Sequence, residues 1–374
     1  MTATAFDSFE TYKARKRFLN LDGIRFLCIS AVIWHHAGIE LPFLTQLFSR
    51  GFLGVDFFFV LSGFLITTLL LRERERKGRV SFRGFYWRRF LRIIPVYFFV
   101  VTAVTAYYGI VQGQAEALER APYYYLFLSN FMQGDTPLLA PTWSLSVEEQ
   151  YYVLWPLLLV LIPARWIVPF LLAMIAVNVL IIMGAFDFIA EEPYQRGLFI
   201  LTLPNATYAP ILMGSLAAIL LNRKGAYEVL GRFLGQRWMA LALGLALLVM
   251  FQVTPADLRG LPNLAIHLTM TAMLISLLVR EENLLKPFLN FAPVVRVGEI
   301  SYGMYLYHLI GLHIATVGMK LAGFESKWLG LIGMFAITWV ISEVSYRTLE
   351  AAFRSLRAKP PFFIAPSTKV QPSS

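Results

Sequence analysis

Charge is scarce in this chain of 374 residues. Only 15% of them are Asp, Glu, Lys or Arg, where a soluble domain carries about 25%. Cysteine is nearly missing too. Cys28 stands alone, which excludes an internal disulfide and a cysteine-rich metal site. No G-x-S-x-G elbow occurs, so the layout of a soluble hydrolase is absent. Nor does H-E-x-x-H or a comparable metal-ligand spacing. There is also no internal repeat of the kind many secondary transporters show.

What fills the chain is apolar. Hydrophobic residues make up 57%, and the runs 155–162, 167–182 and 241–253 are almost free of polar side chains. These runs predict an all-α polytopic integral membrane bundle of about ten transmembrane helices. The expected spans are 21–38, 51–71, 93–111, 146–163, 166–184, 207–221, 238–254, 262–279, 300–319 and 328–346. They divide the chain into a basic N-terminus (1–20), a transmembrane domain (21–346) and a tail (347–374). The basic start resembles a signal peptide, but the run after it is long and lacks a small-residue cleavage site. It reads as a retained first helix.

The net charge of +10 serves topology. With the N-terminus inside, the outer segments and their edges carry only Arg50, Arg120, Arg196, Arg259, Lys320 and Lys327. The remaining Lys and Arg, Arg25 apart, fall inside. This bias places both termini in the cytoplasm. It accounts for contact with anionic membrane lipids and needs no nucleic acid. The outer loop 185–206 holds Asp187, Glu191, Glu192 and the N-A-T sequon at Asn205, which carries little weight here. The tail from Arg354 on is basic, then rich in Pro and Ser, and reads as disordered.

The first span, LDGIRFLCISAVIWHHAG, carries ionisable residues inside an apolar run, a costly placement that marks a functional site. Arg25 and His36 are eleven residues apart. On a helix that is about 16 Å of rise with a ~20° offset, so both lie on one face at different depths. His35 is about a quarter-turn away. In the second span, Asp56 enters from the outer side, at a depth it could share with His36. A His–carboxylate pair would fix the tautomer and raise the basicity of the imidazole. The alternative is that Asp56 pairs with Arg50 or caps its helix.

Arg88, Arg89 and Arg92 crowd the inner edge of the third span. Arg89 and Arg92 share a face if helical, and their guanidinium forks suit phosphate. The competing reading is a topology anchor. In TWSLSVEEQYYVLWP, two glutamates stand at the mouth of the fourth span. Glu148 and Glu149 point to different helix faces, so at most one is expected to face inward. A helix cap by Ser144 or Ser146 would also account for them. His267 is a lone polar group expected to pack. Tyr302, Tyr305 and His308 recur every three residues, which makes one inward stripe unless the tyrosines form an interfacial belt.

Two groups result. Arg25, Arg89 and Arg92 lie at the inner side, and His36, Asp56 and Glu148 at the outer side. A phosphorylated donor could dock from the cytoplasm while its reactive end reaches the histidine. This suits acyl transfer across a membrane, with His36 as general base or transient acyl carrier.

At this point the chain resembles the acyltransferase-3 family. LDGIRFLCISAVIWHHAG is similar to the family's first helix, with Arg25 and His36. GVDFFFVLSGFLIT resembles the second-helix signature, with Asp56 and Ser62. FYWRRFLRIIP resembles the inner-loop R-x-x-R, matched by Arg89 and Arg92. TWSLSVEEQYYVLWP resembles the outer Trp-Ser-Leu motif, with Trp143 and Glu148. ISYGMYLYHL resembles the late-helix signature, with Tyr305 and His308.

The resemblance implies an acyl-CoA donor, most often acetyl-CoA, used as a substrate, with no tightly bound cofactor and no metal. The implied acceptor is a hydroxyl of an envelope or exported polysaccharide, a glycolipid or a small glycoside. It implies a bacterial inner membrane location. His36, Asp56 and Glu148 are then the expected catalytic residues, and Arg25, Arg88, Arg89 and Arg92 the donor contacts. Ser62, Trp143, Tyr305 and His308 line the pocket. One departure is the doubled His35-His36, where spacing selects His36. Some relatives also carry a fused esterase-like domain after the spans. Here only a short tail follows, so either the membrane part handles the acceptor alone or a separate extracytoplasmic protein completes delivery. A transporter of an acylated or glycosylated compound is the competing reading.

Overall fold

A computed structural model describes residues 6–186, 194–201, 208–255, 258 and 260–356. The expectations for Asn205, for the acidic residues of loop 185–206 and for the tail beyond residue 356 lie outside the described residues. Among the described residues the structure is mainly helical, with one hairpin that pairs Tyr194–Arg196 with Phe199–Leu201.

A helix stands at each of the ten expected positions. They are α1 (Asn20–Ala37), α2 (Leu53–Lys77), α3 (Phe82–Ala106), α4 (Thr142–Leu161), α5 (Ile167–Ile182), α6 (Ala209–Leu221), α7 (Met239–Val253), α8 (Leu261–Val279), α9 (Ser301–Leu321) and α10 (Lys327–Arg347). The count of ten spans is not corroborated, however. Among the described residues only α2, α3, α8 and α10 are both long and apolar enough to cross a membrane. A fifth span results if α7 joins Lys224–Leu234, from which it bends by 69°. Helices α5, α6 and α7 are shorter than the ~20 residues a crossing needs. In α1, α4 and α9 the length suffices, but the polar residues that mark the site lower the mean apolarity.

Local chemistry sets the ends of these helices. Gly38, at φ 62°, closes α1 just past His36 by donating its N–H to the His35 carbonyl, a left-handed stop that glycine adopts at little cost. Ser81 caps α3 by accepting from the Gly84 N–H at 3.2 Å.

Helix α2 is the hub. Of its apolar stretch, 72% is buried, against 28% for α10. One core packs Phe59 and Ile66 of α2 with Ile29, Tyr97, Trp155 and Met304. The other packs Phe64 and Leu61 with Ile24, Tyr227 and Leu274. Between α2 and α6 the backbones nearly touch: a Cβ on Gly63 would sit 1.9 Å from the Ile211 carbonyl oxygen, and one on Gly214 2.0 Å from that of Val60. Small residues at such a crossing let helices approach without a hydrophobic drive between them.

Candidate active site

A cavity of about 210 Å³ opens between α1, α2, α3, α4 and α9. Six of the expected site residues line it: Arg25, Ser62, Arg89, Arg92, Glu148 and Tyr305. Its apolar wall comes largely from α2, with Val55, Phe58, Phe59, Leu65, Ile66 and Leu69.

Two further cavities, of about 300 and 290 Å³, share Leu69 and Arg92 with it. Arg88 lines the first, together with Glu73 and Lys77, and Lys16, Arg17 and Arg72 line the second. Arg92 is therefore where all three meet. The inner arginines have different partners. Arg88 is bonded to Glu73 at 3.2 Å, while the Arg89 guanidinium lies over the Tyr152 ring, 5.2 Å from its centroid. Arg25 is held by Asp22, which also binds Arg17 at 2.6 Å. Placement near aromatic faces favours arginine, whose flat, weakly hydrated cation stacks well.

Glu148 accepts a hydrogen bond from Ser62 Oγ at 2.6 Å. Helix α4 is pinned against α2 two turns further on, where Trp155 Nε1–H donates to Thr67 Oγ1 at 2.8 Å. It is tied to α6 by Tyr151 and Ser215. The alternative reading of a cap by Ser144 or Ser146 does not hold, and α4 begins behind Pro141 without a side-chain cap. Ser144 instead meets the Tyr305 hydroxyl at 2.7 Å, and Ser146 meets Ser129 at 2.8 Å. Glu149 lines the cavity as well. This corrects the expectation that at most one glutamate faces inward. The cavity wraps far enough around α4 to meet neighbouring residues.

The polar stripe of α9 faces inward. Tyr302 and Tyr305 line the cavity, and His308 is fully buried. His36 does not line the cavity. Its ring packs against that of His308, with centroids 4.8 Å apart. His36 Nδ1 lies 2.9 Å from the Val32 carbonyl, and His308 Nδ1 2.5 Å from that of Tyr305. Trp143 meets Phe59 edge-on, with ring centroids 6.2 Å apart.

Asp56 is placed differently from its expected pairing. Its carboxylate bonds His267 Nε2 at 3.0 Å, not His36. The alternative partner, Arg50, is spent on the carbonyls of Phe251, Thr254 and Pro255. No local pattern could have found His267, which is 211 residues away. Tyr152 could have been found, since it sits one turn past Glu148, and i, i+4 residues share a face.

Fold and site together describe a helical integral membrane protein with a basic, carboxylate-bearing cavity in its core. Residues 18–347 match the family model described as an acyltransferase domain, and the chain belongs to this acyltransferase-3 family. It is similar to the peptidoglycan O-acetyltransferase OatA of Listeria monocytogenes, with 26% identity over 92% of this chain and 57% of the relative. It is 25% identical to the O-acetyltransferase OatA of Staphylococcus aureus strain MRSA252, over 99% of this chain and 62% of the relative. The putative peptidoglycan O-acetyltransferase YrhL of Bacillus subtilis is 26% identical over 90% of this chain and 54% of the relative. The chain thus spans little more than half the length of these relatives. No solved structure matches it.

Proposed function

We propose that this protein is a membrane O-acetyltransferase that moves an acetyl group from cytoplasmic acetyl-CoA to a hydroxyl of a cell-envelope polysaccharide. The observation that carries the reading is the convergence of Arg25, Arg89 and Arg92 with Glu148 on one cavity. Phosphates of the donor sit in the basic wells that meet at Arg92, and its thioester end enters the cavity. The names of the relatives support the acetyl group and the peptidoglycan-like acceptor. The Lys and Arg bias supports cytoplasmic termini, so the arginines face the donor.

His36 takes the acceptor's proton in this reading. A carbonyl only accepts, so the proton of His36 resides on Nδ1 beside Val32 and its Nε2 lone pair is left free for this task.

The test is turnover in proteoliposomes given acetyl-CoA and soluble peptidoglycan fragments. Release of free CoA together with O-acetylated fragments is the expected result. Passage of intact acetyl-CoA or fragments across the bilayer without CoA release would overturn the enzyme in favour of a transporter.

A further inference from the structure

We propose that Ser62 carries the acetyl group as an ester between donor and acceptor, with Glu148 as the base that activates it. The proposal deepens the acetyltransferase reading and rests on it.

The first observation is where the Ser62 hydroxyl points. Inside a helix, a Ser or Thr hydroxyl commonly bonds back to a carbonyl one turn earlier. In this bundle Ser215, Thr269, Thr271 and Thr316 all do so, to Ile211, Ala265, His267 and Leu312. Ser62 Oγ instead crosses to another helix and donates to Glu148 at 2.6 Å. A hydroxyl within hydrogen-bond reach of a positioned base is the arrangement of an activated nucleophile.

The second is what surrounds it. Ser62 and Glu148 line the same cavity as Arg25, Arg89 and Arg92, and His36 does not. A thioester drawn in by the arginines therefore meets a serine before it meets the histidine. The cavity, at about 210 Å³, has room for a short acyl chain and the thiol end of a donor, not for a nucleotide. The third is rigidity. Gly63, the next residue, lies against the Ile211 backbone, so the backbone carrying Ser62 is fixed by packing, as a reacting group requires.

The steps balance. Ser62 Oγ adds to the thioester carbonyl as Glu148 takes its proton. The C–S bond breaks, CoA leaves as the thiolate, and that thiolate draws a proton from water. In the second half, the acceptor hydroxyl adds to the serine ester, and its proton passes through water to His36 Nε2 outside the cavity. The bond from the acetyl carbon to Oγ breaks, Ser62 recovers the proton held by Glu148, and His36 gives its extra proton to the hydroxide left when the thiolate was protonated, so both bases are restored. CoA can thus leave on one side before the acceptor arrives from the other.

The experiment incubates the purified full chain with radiolabelled acetyl-CoA and no acceptor, quenches in acid, and maps the label by peptide mass spectrometry. Acetyl on the peptide that contains Ser62, with CoA released in equal amount, is expected. Addition of soluble peptidoglycan fragments should chase it off. Ser62→Ala should take no label. Ser62→Cys should take it as a hydroxylamine-sensitive thioester, which shows that the site still folds. Glu148→Gln should slow labelling by about 10²-fold or more, the range of general-base catalysis.

Label on His36, or CoA release only when fragments are present with Ser62→Ala turning over like wild type, overturns the relay and leaves the acetyltransferase reading in place. No CoA release by wild type even with fragments present overturns both.

Discussion

The imidazole of His308 lies 4.8 Å from that of His36 and is inclined at 66° to it. Each ring uses Nδ1 on a carbonyl of its own helix, so each carries its lone pair on Nε2. The Nε2 of His308 is buried with no hydrogen-bond partner among the described residues. A buried nitrogen left in this state is costly, and its nearest aromatic neighbour is the histidine expected to act as base.

The two rings can be separated by substitution. His36→Ala removes the proposed base and should lower turnover by about 10²–10⁴-fold, the usual contribution of general-base catalysis. His308→Phe keeps a ring against His36 and removes only the nitrogens. It should lower kcat by less than about 10-fold, since packing is retained. Both need normal protein levels in the membrane. If His308→Phe falls as far as His36→Ala, the proton is handled by the pair and not by His36 alone.

Asp56 and His267 test a separate idea. Their bond of 3.0 Å joins α2 to α8, with the His267 side chain 2% and that of Asp56 15% exposed. Removing Asp56 leaves His267 buried and unsatisfied, at about 1–3 kcal/mol, and removing His267 leaves the half-buried Asp56 without this partner. Asp56→Ala and His267→Ala should each lower the melting temperature in detergent. The double variant should lose less than the sum, because the two side chains share one interaction. Strictly additive losses would mean that the bond contributes nothing to the fold. A loss of turnover in Asp56→Ala with an unchanged melting temperature would return Asp56 to the chemistry.

The arginines should divide by their neighbours. Arg89 lines the central cavity and stacks on Tyr152, whereas Arg88 is already bonded to Glu73. A hydrogen bond to a charged group contributes about 1.5–3 kcal/mol. Arg89→Ala should therefore raise the KM for acetyl-CoA by about 10-fold or more, while the KM for the acceptor changes little. Arg88→Ala should have the smaller effect. Initial rates over a grid of both substrates distinguish these, and equal losses toward donor and acceptor would remove Arg89 from the phosphate site.

How much of this was legible in the sequence depends on the reach of each pattern. The positions of α1 to α10 could be read from apolar runs. Arg25, Arg89, Ser62, Glu148 and Tyr305 sit on motifs local enough to be noticed. Helical periodicity also placed Tyr302, Tyr305 and His308 on one inward face. What failed was partner choice. Asp56 meets His267, and His36 meets His308, across distances in sequence that no spacing rule covers. The count of ten spans goes uncorroborated for a related reason. Short helices such as α6 are buried among neighbours, and composition alone does not say whether an apolar helix faces lipid or protein.

Packing at the hub offers the sharpest structural prediction. The ideal Cβ position on Gly63 falls 1.9 Å from the Ile211 carbonyl oxygen and 3.0 Å from Ser215 Oγ. The obstacle at the shorter distance is backbone, which cannot swing aside. Gly63→Ala should therefore force α2 and α6 apart, although alanine is the better helix former by about 1 kcal/mol. Gly225, whose Cβ would meet nothing within 4 Å, supplies the control. Gly225→Ala should be neutral or slightly stabilising, because helix propensity is then the only change. Melting temperatures in detergent would decide the matter. A Gly63→Ala protein as stable as Gly225→Ala would show that the two helices do not cross at Gly63. A large loss at Gly63 alone would place a close backbone crossing one residue from Ser62, where it holds the hydroxyl against Glu148.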